Sequence, residues 1–582
     1  MKPIPVTLTD SPFKERNQVN RRYLLQLDPQ RLLSNFYAEA GLNSNIHTLP
    51  PAYGGWEQPH MQVRGCIVGH YMSACAMYAF FQADVELRGR AMQMVDGLAL
   101  CQSENENGWC GSIPPVYLDR IARGKWVWAP HYNVHKTMMG LADVYRYTGY
   151  HKALEVLERW SEWFLNWTAQ FTQEQMQDIL DWETGGMMEV WADLYGMTGK
   201  TIYKTLMERY THHRFFAPLL EGKDILSATH ANTTIPEAHG MARAYQVTGE
   251  DIYRKYAEGY LLQVLDGLEP LCTSGQTTGE HWVRHLHHEL LGQQTQEHCS
   301  VYNMIRLCEY VMTWNPQARF ADYVEKNIHN GLLAQQRAKD GMTTYYLPME
   351  TGGRKSWSTP ENHMTCCQGT TLQANASYES RLLYETETGL SLQQYIPFIT
   401  NWEFQGRPVN IRLDVDEHIL SYSRRCHFNE YRVQFSASKA TPFTLTLRIP
   451  SWSTETTLYK NGQQIGTYPA GTCQWVDIPG NWQNDTVRMV CQKRLHTMQL
   501  GNSSLRAVLY GSTVLAGLTD SNGVLREVSA AKLEDCFHPR ANCDWNANPR
   551  TWQCDIGEHS IRFLPLSDID EEIYTVYFHM KD

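Results

Sequence analysis

Apolar residues recur at three- and four-residue spacing through most of the first 385 positions, and at every second position beyond them. The first period is that of amphipathic helices, the second that of half-buried strands. Asn20–Leu42 reads as one amphipathic helix that Gly41 would stop. Gly65–Ala83 is almost wholly apolar, as a helix in an interior layer must be. A repeat then sets the architecture: Tyr145-Arg-Tyr-Thr148-Gly149, Tyr195-Gly-Met-Thr198-Gly199 and Tyr245-Gln-Val-Thr248-Gly249. Each follows a helical stretch (Thr137–Tyr145, Met188–Tyr195, Ala238–Tyr245) and precedes another (His151–Phe164, Tyr203–Tyr210, Asp251–Leu265). The glycine suits the left-handed residue that closes a helix. Such hairpins stack as an open solenoid or close into a toroid. The residue-rich return loops favour an (α/α) toroid over residues 1–385 with a cleft at one end.

The segments Leu390–Tyr395, Val409–Val415, Tyr431–Phe435, Phe443–Ile449, Val487–Cys491, Leu505–Tyr510 and Tyr574–Phe578 carry the two-residue period. Asn461-Gly462 marks a tight hairpin. One or two antiparallel β-sandwich modules are expected over residues 386–582. The fold class is therefore multidomain α+β.

Composition narrows the function. Tyr (32) and Trp (18) are abundant, and their ring faces match the C–H faces of sugars, although most must serve the core. The net charge of −11 is dispersed, and no Lys/Arg run is present, which argues against nucleic acid. No stretch approaches the roughly 20 apolar residues that span a bilayer, so no membrane partner is expected. Met1-Lys2-Pro3-Ile4-Pro5-Val6 has no apolar core of a signal peptide. Fifteen cysteines without a short-spaced framework suit a reducing compartment. A cytoplasmic protein is expected, with β-sandwich surfaces that would allow a homodimer.

The candidate chemistry centres on Cys366-Cys367. Adjacent thiols make a poor disulfide, because a Cα separation of about 3.8 Å is below the usual window of roughly 4.4–6.8 Å. Both can face one metal. With Glu297 and Cys299 they would form an S₃O shell suited to zinc. The alternative is that the pair is simply buried as small apolar side chains. Glu280, in Thr277-Thr278-Gly279-Glu280-His281-Trp282, is a candidate general acid whose pKa burial beside Trp282 would raise. His131 and His135 share an i,i+4 spacing. His281, His285, His287, His288 and His298 crowd around Glu280 and Glu297, and His230 and His239 flank a helix entry facing the same cleft. Asp178, Asp181 and Glu183 support a rival reading in which paired carboxylates, such as Asp181 with Glu280, do the catalysis and zinc is structural. A non-catalytic carbohydrate-binding scaffold is the third reading.

Glu297-x-Cys299 followed by Cys366-Cys367, with an upstream Gly279-Glu280, resembles the zinc-thiolate β-L-arabinofuranosidases, glycoside hydrolase family 127 and its sister family 146. Ser11-Pro12-Phe13, Leu27–Leu33, Gly54-Gly55-Trp56-Glu57, Gly69–Ser73, His135-Lys136 and His230-Ala231-Asn232-Thr233-x-Ile235-Pro236 are likewise similar, so the resemblance covers most of residues 7–380. It implies an (α/α)₆ barrel with C-terminal β-sandwiches and a retaining exo-glycosidase acting on terminal β-L-arabinofuranosides of small glycosides. It further implies Zn²⁺ held by Glu297, Cys299, Cys366 and Cys367. Cys366 would be the nucleophile and Glu280 the acid/base, with His135, His239, His230 and Trp56 touching the sugar. Gln368-Gly369-Thr370-Thr371-Leu372-Gln373 departs from both family patterns: Thr371 and Gln373 stand where the sister family has Gly and Glu. Other superfamily members act on other plant or pectic sugars, which keeps the sugar open.

Overall fold

The computed structural model describes residues 2–42, 51–183, 185–227, 229–419, 427–541 and 547–582. Six helices form a closed inner ring: Cys66–Phe81, Pro130–Thr148, Met187–Thr198, Ala231–Thr248, His298–Met312 and Cys366–Ala376. Each packs on the next, and the last packs back on the first. Each is backed by an outer helix, in order Val85–Glu104, His151–Thr168, Thr201–Tyr210, Asp251–Gly267, Ala318–Asn327 and, from the start of the chain, Pro12–Gln26. This is an (α/α)₆ barrel.

The Thr-Gly repeat marks the turns at one end of it. Gly149, Gly199 and Gly249 have φ of 69°, 68° and 71°, and each amide closes its helix on the tyrosine carbonyl four residues before it. The threonine before each glycine turns its hydroxyl back to a carbonyl four residues earlier. Two of these inner helices begin seven residues earlier than periodicity predicts. The added turns carry His131, Asn133, His135 and Lys136, all buried, in one helix and Asn232, Thr233 and Thr234 in the other. Their polarity is what hid them.

The expected single helix over Asn20–Leu42 is instead two, Pro12–Gln26 and Pro29–Glu39. Pro29 cannot donate to the preceding turn, and Asp28 caps the new helix by accepting from the Gln30 amide at 2.8 Å. Cys66–Phe81 is buried on nearly every side, as its unbroken apolar run requires. Gly69 lies against Lys136 so closely that a Cβ there would fall 1.7 Å from its carbonyl oxygen. No helix among the described residues is long and apolar enough to cross a membrane.

The strands form three larger sheets. A five-stranded and a seven-stranded sheet face each other across Trp402, Phe435, Phe443 and Trp482, with Phe443 centroids 5.2 and 5.5 Å from Trp402 and Phe435. Lys2–Pro3 and Thr7–Leu8 pair with Leu383–Glu385 and Phe398–Phe404, so the start of the chain closes both sheets. One pair departs from the antiparallel expectation: Gly389–Leu392 runs parallel to Thr441–Ile449. The predicted hairpin is present, with Asn461 and Gly462 at φ of 50° and 81° between Glu455–Lys460 and Gln463–Pro469. The third sheet spans Leu495 to His579.

A buried ion cluster joins barrel to sandwich. Arg448, wholly buried, pairs with Asp322 and, at 2.6 Å, with Glu325 of the helix Ala318–Asn327. Ser451 N–H and Trp452 Nε1–H donate to the same two carboxylates at 2.9 Å. Arg448→Ala would leave two buried carboxylates uncompensated and is expected to cost about 3–5 kcal/mol, read as a lowered thermal unfolding midpoint.

Candidate active site

Two helix N-termini meet at one end of the barrel. Glu297 is the N-cap of His298–Met312 and Cys299 lies in its first turn, while Cys366 and Cys367 open Cys366–Ala376. The Cys299 and Cys367 sulfurs are 3.3 Å apart, Cys366 and Cys367 3.9 Å, and Cys367 Sγ to Glu297 Oε1 3.9 Å. All four ligand atoms fall within 4.8 Å of one another, all buried. Tetrahedral zinc with bonds of about 2.3 Å sets neighbouring sulfurs roughly 3.8 Å apart, so the donor set fits such an ion. Ser300 Oγ–H donates to Glu297 Oε2 at 2.6 Å, which leaves Oε1 turned to the sulfurs.

Burial pushes the Cys299 and Cys367 thiols and the Glu297 carboxyl well up. Cys366 goes the other way. Burial opposes ionisation there too, but hydrogen bonding with Cys299, Cys367 and Tyr345 takes its thiol well below the ordinary value. It is also the thiol that lines a pocket. That pocket, about 280 Å³, is walled by Trp56, Trp128, Tyr132, His135, Lys136, Glu183, His230, Asn232, Glu280, Glu297 and Tyr345, among others. It is at the small end of ligand sites, roughly 300–1,000 Å³, and suits one sugar ring.

Glu280 is held at the tip of a two-residue hairpin between Thr277–Thr278 and His281–Trp282. Gly279 and Glu280 both have positive φ, 56° and 67°. That is the twist such a turn needs, but it strains a residue bearing a Cβ. The Glu280 carbonyl accepts from Ala231 N–H at 2.8 Å, which ties the tip to the inner helix Ala231–Thr248.

The expectation of a raised Glu280 pKa fails. Trp282 turns into the core, with Nε1–H on Tyr260 Oη, and the Glu280 carboxylate meets donors instead. His230 Nε2 lies 2.9 Å from Oε2, and the Tyr345 and Tyr346 hydroxyls donate to Oε1 at 2.6 and 2.8 Å. The hydrogen bond from His230, aided by the two tyrosines, lowers its pKa to about 2. The backbone N–H of Thr233 donates to His230 Nδ1, so Nε2 carries the proton that Glu280 accepts. A carboxyl whose pKa falls on folding contributes stability fully above its unfolded value of about 4.3. That contribution is lost as pH falls toward 2. The stability difference between wild type and Glu280→Gln is therefore expected to shrink across that window, as acid-unfolding curves would reveal.

Tyr345 gave no signal in the sequence, yet it bridges Glu280 and Cys366. Its hydroxyl is 2.6 Å from Glu280 Oε1 and 3.1 Å from Cys366 Sγ. Tyr345→Phe is expected to lower kcat by about 10–100-fold, with KM little changed, in steady-state kinetics.

The other expected residues divide. Trp56 lines the pocket in edge contact with Trp128, centroids 5.0 Å apart, and its position is set by Glu57, whose carboxylate accepts from the Gly65 and Ile67 amides. His135 is buried with both ring nitrogens unpartnered among the described residues; burial holds it neutral, free to meet hydroxyls. Its ring fills the space where Gly186 would carry a Cβ. His239 does not reach the pocket. It is wholly buried, with Nε2–H on the Asn303 carbonyl at 2.7 Å and Nδ1 toward Arg306, so it ties two inner helices together. His131 likewise is structural, bonded to Glu183 and Tyr210. His281, His285, His287 and His288 are exposed and His298 is buried, and none of them lines the pocket.

The rival carboxylates are otherwise engaged. Asp178 and Asp181 pair with Arg214, and Asp181 also with His212. Glu183 accepts the His131 and Tyr132 amides at 2.6 and 2.9 Å and so caps the helix that carries His135. Gln373, in the departing segment, accepts from His70 Nδ1–H at 2.6 Å and donates to Ser73 at 2.8 Å, a role its neutral amide fills without a charge.

Residues 5–380 match the family model described as β-L-arabinofuranosidase, GH127 catalytic domain, and residues 389–492 the GH127 middle domain. No curated protein matches the sequence significantly. Among solved structures, a GH127 β-L-arabinofuranosidase from Geobacillus stearothermophilus T6 superposes with a TM-score of 0.76 at 15% identity, covering 99% of this chain and 100% of its own. The GH127 β-arabinofuranosidase BT3674 gives 0.72 at 15% identity, covering 100% of this chain and 98% of its own. The likeness to these two is one of fold. With the catalytic model matched over well more than half of its length, the chain belongs to glycoside hydrolase family 127.

Proposed function

We propose that the protein is a retaining exo-glycosidase that releases terminal β-L-arabinofuranosyl residues from small glycosides. Cys366 is the nucleophile, Glu280 the acid/base, and Glu297, Cys299, Cys366 and Cys367 hold Zn²⁺. The observation that carries this reading is the single pocket wall shared by Cys366 and Glu280, with Tyr345 hydrogen-bonded to both. The family match supports the sugar.

In the first half-reaction Cys366 Sγ attacks the anomeric carbon while the glycosidic oxygen leaves with a proton from Glu280. Glu280, a carboxylate at rest, takes up that proton from solvent before the step, and the Tyr345 hydroxyl, 2.6 Å from Glu280 Oε1 and 3.1 Å from Cys366 Sγ, aligns the two groups. In the second, Glu280 takes a proton from water, the water attacks the same carbon, and the C–S bond breaks. Two displacements retain configuration. Bound Zn²⁺ would keep the sulfurs deprotonated at neutral pH. The pocket's volume of about 280 Å³ supports removal of one terminal sugar at a time. The thirteen unpaired cysteines among the described residues support a reducing compartment, which the cytoplasm provides.

The test is zinc per chain, with hydrolysis of p-nitrophenyl β-L-arabinofuranoside on the same preparation. About one zinc per chain, and loss of at least ~100-fold in rate on chelation with recovery on zinc return, are expected. A metal-free protein that hydrolyses the glycoside would overturn the metal assignment. One zinc without turnover would overturn the sugar.

A further inference from the structure

Once loaded with zinc, the four-ligand cluster cannot be electrically neutral. Ligating thiols give up their protons, so three thiolates and the Glu297 carboxylate would face one dication and leave two negative charges uncancelled. All four side chains are between 0 and 3% exposed. Uncancelled charge at such depth is costly unless a counter-charge lies close by. Glu183 and Glu280, which line the same pocket, add negative charge rather than remove it.

The pocket wall holds one suitable cation. Lys136 is the only Lys or Arg among its described residues, and it is 8% exposed. No carboxylate among the described residues lies within ion-pair distance of its ammonium. Nζ instead lies 5.0 Å from the centroid of the Tyr132 ring, one helical turn away, and that ring packs on Cys299, Cys366 and Cys367. The backbone is fixed there as well. Gly69 and Gly140 let the helices Cys66–Phe81 and Pro130–Thr148 meet main chain to main chain at Lys136. Burial lowers the Lys136 pKa and is opposed first by Cys299, then by Cys366 and Cys66. An ammonium beside anions is held in its charged form. Arg306 is no substitute, being committed to Glu189.

We propose that Lys136 is the counter-charge of the metal-loaded cluster: its ammonium offsets one of the two excess negative charges and so sets how tightly Glu297, Cys299, Cys366 and Cys367 hold their ion. The inference rests on the zinc assignment above. Lys136→Met keeps the stem and removes the charge, whereas Lys136→Arg keeps the charge. Zinc affinity is measured by competition with a chelator, and thermal unfolding is followed with and without zinc. Lys136→Met is expected to bind zinc about 10–100-fold more weakly, with Lys136→Arg between it and wild type. The metal-free Met variant should unfold at or above the wild-type midpoint, because it no longer buries an unpaired charge, yet gain less from added zinc. Zinc affinity equal to wild type in Lys136→Met would overturn the proposal, and a raised KM in that variant would then assign the ammonium to the sugar. An equal fall of the unfolding midpoint with and without zinc would also overturn it, since that is what a packing role predicts. Wild type that takes up no zinc overturns the metal assignment and this inference with it; zinc uptake by wild type with an unchanged variant overturns the role of Lys136 alone.

Discussion

Cys366→Ser is expected to lower kcat by about 10⁴-fold or more, with the fold intact. A serine hydroxyl at that point has no thiol's acidity, and hydrogen bonding with Cys299, Cys367 and Tyr345 cannot bring it to an alkoxide near neutral pH. The surroundings tolerate the change sterically, since oxygen is smaller than sulfur. Glu297, Cys299 and Cys367 still offer three ligands, so metal content should fall less than activity. Steady-state kinetics, metal analysis and near-ultraviolet circular dichroism on the same protein separate these effects. Activity within tenfold of wild type would remove Cys366 from the chemistry and leave the cluster a structural one.

Glu280→Gln should lower kcat by about 10²–10⁴-fold on a glycoside whose leaving group needs a proton. His230, Tyr345 and Tyr346 all donate to this side chain, and an amide can accept at one oxygen only, so the variant also loses alignment. With p-nitrophenol, which leaves readily as its anion, the first displacement survives better than the second. A thioglycoside on the Cys366 sulfur should then accumulate, visible in intact-mass spectrometry as one added pentosyl unit that is absent from Cys366→Ser. Full turnover of both substrates by the variant would assign the proton transfers elsewhere.

Much of this was legible in the chain. The Thr-Gly repeat reports helix ends because only glycine adopts positive φ there without cost, and this local rule holds whatever the tertiary surroundings. Strand periodicity and Asn461-Gly462 are equally local. The adjacent cysteines and Glu297-x-Cys299 point to a metal because the spacing itself limits what the side chains can do. The break at Asp28-Pro29 was legible too, from the missing proline N–H, but the amphipathic pattern across it ran on and masked it.

Other features follow from long-range placement. Glu280 has a low pKa because the fold brings His230, 50 residues before it, and Tyr345 and Tyr346, 65 and 66 after it, onto one carboxylate, while its sequence neighbour Trp282 faces away. His135 and His239 look alike in the sequence; one opens into the pocket, and the other is consumed by the Asn303 carbonyl between two helices. Helix and strand periods, helix stops and the residue set that could hold a metal were determined by the sequence alone, since each rests on backbone sterics or short spacing. The ionisation of Glu280, the bridging hydroxyl of Tyr345 and the side chains that line the pocket were decided only by tertiary structure, because hydrogen bonding and desolvation depend on which distant groups the closed ring brings within about 3 Å.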